Sequence, residues 1–440
     1  MPPLRPWHAR LAGSARLAAA LAAESRLPFR PLEAIRHAQA RRVRAMVVHA
    51  FRTVPHYRDA MRRLGLTPAD FTSADDLERL PMIERSELQR DPERFRSSAF
   101  ASRDLLELHS GGRTGEPVAV WHDLPAVIAN AAHGERDRAV WAGSLVPLTG
   151  YREAVLGMLD GADASVQRFL RRGIMLPARA DIERRYLSGL DPVPRTLAAL
   201  NAFRPHVVHG YGSMLEFLFA HIASSGAPFE RPAVVTYSSD DLSSATRQFV
   251  ERNLGVPVFA TYEAIEAFKI GFECGRRNGY HLNVDLYPLR VDGSGDVIVS
   301  NLVNRATVLL NYRLGDRAEL SPGACSCGRR LPLMSRLDGR RDGVLRRADG
   351  TGLLPIAVAI IFSHTPGVQH YQVQEVERLR LVVRLVVDAA CDRRSVETHV
   401  AAALARAIGD PVRLRVDFVD RIEPTAGGKF QRILPYPYDD

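Results

Sequence analysis

Lysine is almost missing from this chain. Of the 59 basic residues among 440, only Lys269 and Lys429 are lysines. A lysine that survives in such a background is a candidate for chemistry that arginine does not replace, because its ammonium is a compact charge on a flexible stem. Blocks of basic charge are missing too. Against 50 acidic residues the balance is +9, but the arginines are spread along the whole sequence. That pattern reads as a solvated surface suited to anionic small molecules, and no nucleic-acid partner is expected. No run of 18 or more apolar residues occurs, so no membrane span and no membrane partner are expected. The alanine-rich stretch after Arg16 has too short an apolar core for a secretory signal and reads as an amphipathic helix. Four cysteines in 440 residues do not make a disulfide framework, which makes the cytoplasm the expected location. There is no internal repeat and no low-complexity tract.

What is present is an ordinary globular composition, 46% hydrophobic and 25% charged, long enough for two or three domains. The first 60 residues, rich in Ala, Arg and Leu, read as helices. Residues 80–88 read as a turn into a helix capped near Ser86. From about 123 to 225 helical patterns alternate with short apolar runs, which predicts parallel strands with crossover helices. Further strands are expected at 232–237 and 256–262, with polar residues at their C-terminal ends, where open α/β sheets bind ligands. Short antiparallel strands are expected from 280 to 335, among them 296–300 and 307–312. After a turn-like break at 339–343, strands at 369–375 and 379–388, a helix at 394–407 and a strand at 412–418 form a block large enough to fold alone.

The densest local signal is Ser110-Gly111-Gly112-Arg113-Thr114-Gly115-Glu116-Pro117, between strands at 105–109 and 118–121. Glycines in such a turn expose backbone N–H groups that can form a concave anion site, here for a polyphosphate, although many glycine-rich turns are plain hairpins.

Four further pieces follow in a fixed order: Tyr262-Glu263-Ala264-Ile265-Glu266, Tyr312-Arg313-Leu314-Gly315-Asp316, Gly339-Arg340-Arg341-Asp342 and Gly427-Gly428-Lys429-Phe430. The ordered set resembles the adenylate-forming enzyme superfamily, in particular its phenylacetate–CoA ligase branch, over roughly residues 45–435. The resemblance implies an α/β fold with a large N-terminal α/β domain carrying an antiparallel β subdomain (1–338). It also implies a small, mobile C-terminal α+β domain (343–440), with a hinge near 339–342. The implied reaction is ATP-dependent activation of a carboxylic acid, aromatic in this branch, to an acyl-adenylate. The acyl group then passes to CoA, a carrier protein or an amine. The partners are thus a small acid and CoA or a carrier, and a homodimer is a further expectation. The alternative is a catalytically altered member that binds nucleotide or acyl groups without turnover.

The resemblance assigns roles residue by residue. Gly112, Thr114 and Gly115 would hold the β- and γ-phosphates, with Arg113 pairing a phosphate oxygen. Ser239 and Asp240 match the adenine contact. Tyr262 matches the aromatic that stacks on adenine, with Thr261 beside it. Glu266 matches the Mg²⁺ ligand, Asp316 the carboxylate on the ribose hydroxyls, and Arg340 an arginine near ribose and phosphate. Asp342 matches the hinge, and Lys429 the catalytic lysine that stabilises charge at the α-phosphate. The chain departs from the pattern at Gly111, Arg113 and Glu116 in the loop, at Glu263 for the usual Gly, and at Ile265 for the usual hydroxyl. Without the family context, Gly315-Asp316 reads as a turn, and Glu263 and Glu266 as solvated helix-face carboxylates. The acid pocket would be lined near Tyr211, Gly212 and residues 260–265.

Cys274, His281, Cys325 and Cys327 form a separate constellation. Three thiolates and an imidazole suit tetrahedral structural Zn²⁺, and some relatives carry a similar arrangement; buried apolar cysteines are the other reading.

Overall fold

The computed structural model describes residues 5–110, 118–144, 149–177, 181–189, 191–340, 345–353, 358, 361–362, 365, 367–388, 391–409, 411–423 and 431–436, without the side chains of 110 and 338–340. The chain opens with helices α1 (Trp7–Glu24), α2 (Leu32–Thr53) and α3 (Pro55–Arg63). Helix α4 (Arg85–Arg90) starts earlier than a Ser86 cap would place it. The Glu87 carboxylate reaches back to accept the Glu84 N–H at 3.4 Å, so Glu84 is the cap. Strands β1 (Leu106–Ser110) and β2 (Val118–His122) pair antiparallel. Helix α5 (Leu124–Trp141) follows at once, its first turn capped by the Asp123 carboxylate, which accepts the Ala126 N–H at 2.8 Å.

Alternating elements come next: β3 (Arg152–Gly157), α6 (Ala162–Gly173), β4 (Glu183–Ser188), α7 (Val193–Phe203), β5 (Val207–Tyr211), α8 (Gly212–Ser225), β6 (Val234–Ser238) and α9 (Ser244–Gln248). As the periodicity predicts, β3, β5 and β6 are parallel neighbours. Every residue of β6 is buried, which suits a strand covered on both faces. The antiparallel region holds β7 (Val258–Ala264), β8 (Phe268–Glu273), β9 (Tyr280–Leu282), β10 (Leu289–Val291), β11 (Asp296–Val299), β12 (Tyr312–Ser321) and β13 (Leu333–Arg340). After it come the short pair β14 (Leu345–Arg346) and β15 (Gly352–Leu353), then β16 (Val368–Glu377) and β17 (Arg380–Val387). The helix Arg393–Ile408, β18 (Arg413–Phe418) and β19 (Ile433–Leu434) complete the order.

The chain divides into two compact units, residues 1–152, 159–184 and 259–337 in one, residues 153–158, 185–258 and 338–440 in the other. In the first, hydrogen-bonded strands follow the order β10-β11-β12-β13-β9-β8-β7. Its main core gathers α2 and α3 side chains such as Val47 and Tyr57 with Ile270, Phe272 and Tyr312. In the second, β6-β5-β3-β4 form the parallel array, and β18-β17-β16-β19 form a separate four-stranded sheet. There β17 and β18 run parallel with the helix Arg393–Ile408 between them, the expected β–α–β arrangement, closed over Val383, Leu385, Val400 and Leu404.

One expected strand is displaced. Residues 307–311 are buried, with an apolar centre at Val308, Leu309 and Leu310, but do not form a strand; β12 begins at Tyr312. Asn311 takes a left-handed conformation (φ 61°) that interrupts any extended run. The backbone N–H groups of this stretch go elsewhere: Thr307 donates to Trp121 O, Val308 to Phe95 O and Leu310 to the Tyr57 hydroxyl. Gly315 and Asp316, by contrast, lie inside β12 rather than in a turn, with φ at Gly315 of +89°.

The first helix is fastened by two devices. A Cβ on Gly13 would stand 2.0 Å from Gly173 O, and one on Gly173 would stand 2.5 Å from Leu124, so α1 and α6 meet almost backbone to backbone and the Leu124 side chain of α5 packs directly on Gly173. The second device is a buried ion network. Arg136 on α5 donates to Glu24 of α1 (2.6 Å), to Asn283 (2.9 Å) and through both terminal nitrogens to Asp285 (2.8 and 2.9 Å). Arg42 adds a second guanidinium to Asp285 at 2.8 Å. Burial pushes the Asp285 carboxyl up, but the charge and hydrogen bonds of Arg136 together with the charge of Arg42 outweigh it and hold it below the usual range. No helix among the described residues is long and apolar enough to cross a membrane.

Candidate functional site

The hairpin of β7 and β8 carries the second motif. Tyr262 and Ala264 belong to β7, and Glu266 sits in the tight turn before β8, where Phe268 takes φ 57°. A register shift between Tyr262 and Glu263 marks a bulge, a device that re-aims side chains at strand ends. Tyr262 is buried, and its hydroxyl donates to Asp316 Oδ2 at 2.7 Å. On β12, Tyr312 and Asp316 share a face by the period of two. The Tyr312 hydroxyl stands 3.5 Å from Glu266 Oε1. One face of β12 therefore holds both ends of the 262–266 segment, and Tyr262, Glu266 and Asp316 are brought together across 54 residues of sequence.

Glu266 is 2% exposed. Its side-chain partners are long: Arg85 Nη1 at 3.3 Å and the Tyr312 hydroxyl. Its own carbonyl accepts the Asn301 amide at 2.9 Å, which pins the turn. A buried carboxylate whose oxygen has only long contacts is a donor that a hard cation can take over, so the residue fits the magnesium role. Arg85 is the participant that sequence reasoning missed. It lies at the first position of α4, and nothing in the spacing of residues 80–88 points it toward a residue 181 positions later.

Neither Glu263 nor Glu266 is a solvated helix-face carboxylate. Glu263 is on β7, partly buried, and accepts Lys269 Nζ at 2.7 Å and the Thr261 hydroxyl at 3.1 Å. Thr261 and Glu263 thus share one face and Tyr262 takes the other. The departure at Ile265 also has a packing reason: it lies against both the main core and the apolar cluster of α1, α5 and α6.

In the second unit, Ser238-Ser239-Asp240 leave the C-terminal end of β6. Ser239 takes φ 76°, and Asp240 N–H donates back to Ser238 O at 2.9 Å. The Asp240 carboxylate accepts the Ser213 N–H at 3.1 Å and the Ser213 hydroxyl in a short hydrogen bond. A Cβ on Gly212 would stand 2.5 Å from Asp241 C and 2.6 Å from Asp240 O, so the first residue of α8 lies directly against this turn.

Gly112, Arg113, Thr114 and Gly115 of the loop, Asp342 of the hinge and Lys429 lie outside the described residues. Arg340 ends β13, and its side chain lies outside them as well.

Cys274, His281, Cys325 and Cys327 converge at one point, their ligand atoms all within 4.8 Å of one another. Cys274 Sγ and Cys325 Sγ are 3.7 Å apart, and Cys327 Sγ is 3.3 Å from His281 Nε2. Zn–S bonds of about 2.3 Å at tetrahedral angles place sulfurs about 3.8 Å apart, so the spacing fits a metal ion. The cysteines come from the end of β8 and the loop between β12 and β13, and His281 from β9 between them. Burial and the nearby Arg329 push the imidazole down to about 4, which keeps it neutral, as a ligand must be. Burial raises the Cys274 thiol to about 11.

No protein-family model matches the chain. Among curated proteins it is similar to the phenylacetate–coenzyme A ligase of Thermus thermophilus, 26% identical over 407 residues that cover 87% of this chain and 85% of the relative. It is also similar to the phenylacetate–coenzyme A ligase of Escherichia coli, 26% identical over 339 residues, 70% of this chain and 71% of the relative. Among solved structures, 2-hydroxyisobutyryl-CoA ligase in the postadenylation state superposes with a TM-score of 0.69 at 16% identity, over 90% of this chain and 89% of that one. That likeness shows the fold. The ordered motifs, the shared fold and the similarity along most of the chain agree: the protein has the fold of the adenylate-forming CoA ligases and is similar in sequence to phenylacetate–coenzyme A ligases.

Proposed function

We propose that this protein activates a carboxylic acid with ATP to an acyl-adenylate and passes the acyl group to coenzyme A, acting as an AMP-forming acid–thiol ligase. The observation that carries the reading is the Tyr262–Asp316 hydrogen bond at 2.7 Å with Glu266 held to the same face of β12. An aromatic ring, a bidentate acceptor for ribose hydroxyls and a buried carboxylate for Mg²⁺ are the three groups a magnesium nucleotide needs from this strand system. Asp240 and Ser239 at the end of β6 would contact adenine, and Thr261 would support Tyr262. The loop residues Gly112 to Gly115, Arg340 and Lys429 take their roles from the family resemblance, as do the hinge at Asp342 and a mobile domain from 343 onward. Magnesium bound at Glu266 would neutralise phosphate charge. The acid is read as aromatic from the branch. A cytoplasmic location is read from the use of ATP and coenzyme A.

Zinc at Cys274, His281, Cys325 and Cys327 would be structural. Four protein ligands close a tetrahedral site and leave no position for substrate.

The test is pyrophosphate release against an acid panel that includes aryl acids, with detection of the acyl-adenylate by mass spectrometry. Release that depends on acid and is lost in Lys429→Ala supports the reading. A metal-replete protein that binds nucleotide by calorimetry but releases no pyrophosphate with any acid is a non-catalytic binding protein instead.

A further inference from the structure

We infer that Arg432 is a positioning residue that latches the carboxy-terminal sheet to α8 through Glu216, a tie that serves adenylation and not acyl transfer, an inference that rests on the adenylating reading above. Arg432 stands just before β19, and its backbone is built into the sheet. Val373 of β16 donates its N–H to Arg432 O at 2.8 Å, and the Gln372 amide donates to Gln431 O at 3.0 Å. The guanidinium leaves the sheet: Nη2 lies 3.1 Å from Glu216 Oε2 on α8, and Cζ stands 5.8 Å from the centre of the Tyr371 ring.

Apolar contacts flank the pair. Phe217 of α8 stacks on His370 of β16, with ring centres 3.9 Å apart and planes 18° from parallel. Met214 of α8 shares a small buried cluster with Ile422. The sheet's own core, closed over Val383, Leu385, Val400 and Leu404, includes no α8 residue among those described. The docking can therefore part without opening that core.

The electrostatics suit a tie that is made and broken. Burial works against the charge on Arg432, but Glu216, with lesser help from Asp240 and Asp241, outweighs it. Glu216 also accepts the Ser243 N–H at 2.8 Å, the Ser243 hydroxyl in a short hydrogen bond and the Thr246 hydroxyl at 2.9 Å. Those donors stay with the carboxylate when Arg432 leaves, so release does not strand a buried charge without hydrogen bonds. Ser243 caps α9, three residues after Asp240, and Ser213 of α8 holds Asp240 itself. The tie thus joins the turn assigned to adenine to a point three residues after Lys429, the lysine assigned to the α-phosphate. The state it holds is therefore the adenylating one.

The experiment compares Glu216→Gln, Arg432→Met, Arg432→Lys and the double variant Glu216→Gln/Arg432→Met in the full-length protein, with an acid that wild type accepts. The half-reactions are timed apart: pyrophosphate release in a single turnover without coenzyme A, and thioester formation when coenzyme A is added to enzyme carrying its acyl-adenylate. Glu216→Gln and Arg432→Met should each slow pyrophosphate release about tenfold or more, the effect of losing a hydrogen bond between charged groups, and leave thioester formation within about twofold of wild type. The double variant should be no slower than the slower single one, because one shared contact is lost. Arg432→Lys, which keeps the charge, should be slowed less than Arg432→Met. Hydrogen exchange over residues 212–225 and 368–377 should rise together in Arg432→Met. A purely structural pair slows both half-reactions alike as the thermal midpoint falls. That pattern, an unchanged rate of pyrophosphate release, or losses that add in the double variant would overturn the proposal. If Arg432→Met does not fold, Glu216→Gln decides it by the same split between half-reactions. A wild type that releases no pyrophosphate with any acid overturns the adenylating reading itself, and the ion pair is then judged by hydrogen exchange, where no change over 212–225 in Arg432→Met refutes the latch.

Discussion

Replacing Arg136 by methionine should be among the most costly single changes in the first unit. The side chain is 1% exposed and donates to Glu24, Asn283 and Asp285. Methionine keeps the aliphatic part of the volume but leaves Glu24, 6% exposed, with His133 at 3.9 Å, and leaves Asp285 with Arg42 alone. Breaking a buried pair from one side costs about 3–5 kcal/mol, a large share of a total stability of about 5–15 kcal/mol. Denaturant unfolding followed by tryptophan fluorescence reads the loss, since Trp7 and Trp141 lie at the starts and ends of the helices involved. The sign with pH gives a second readout. In wild type Asp285 has a lowered pKa, so its contribution is present above the unfolded carboxyl value of about 3.9 and is lost as pH falls through the lowered one. In the variant burial acts with less opposition and raises that pKa, so the deficit is largest at neutral pH and narrows in acid. Adding Glu24→Gln and Asp285→Asn to Arg136→Met should recover much of the loss. A deficit below about 1 kcal/mol, or one that widens in acid, would refute the assignment of this network as the fastening of α1.

Asp316→Asn should raise KM for ATP by about tenfold to a hundredfold, the worth of hydrogen bonds to a charged acceptor, with the fold intact by circular dichroism. Elemental analysis of purified protein should find about one zinc per chain, and Cys325→Ser should lose it and lower the thermal midpoint. His56 and His122 are held neutral by burial, with pKa values lowered from 6.5 to about 4 and about 3. A lowered pKa contributes stability above the unfolded value, so stability should fall as pH drops from about 6.5 toward 4, and His122→Phe should flatten that slope.

The elements that local pattern alone can set were readable in advance. The parallel strands β3, β5 and β6 and the β17–helix–β18 unit follow from apolar runs of strand length separated by amphipathic helices. Residues 307–311 show the limit. Their apolar character was legible as burial, but burial does not distinguish a ladder strand from a segment whose N–H groups go to Trp121, Phe95 and Tyr57. Tyr262, Glu266 and Asp316 were legible because a family pattern names them, and the structure places them together. Arg85 was not, because its partner Glu266 is fixed only by tertiary packing. The three cysteines and the histidine lie in between: residue type was visible, but only the closure of β8, β9 and the β12–β13 loop brings their side-chain atoms within 4.8 Å of one another.

The close approach of Gly212 to the Asp240–Asp241 backbone limits how this protein can change its choice of acid. Enlarging residue 212 would be the simplest way to shorten an acyl pocket bounded by the start of α8. Here even one methyl group would displace the turn that carries Ser239 and Asp240, so on the proposed reading a gain in selectivity would be taken from nucleotide binding. Position 212 should therefore stay glycine among close relatives, whatever acid each of them takes.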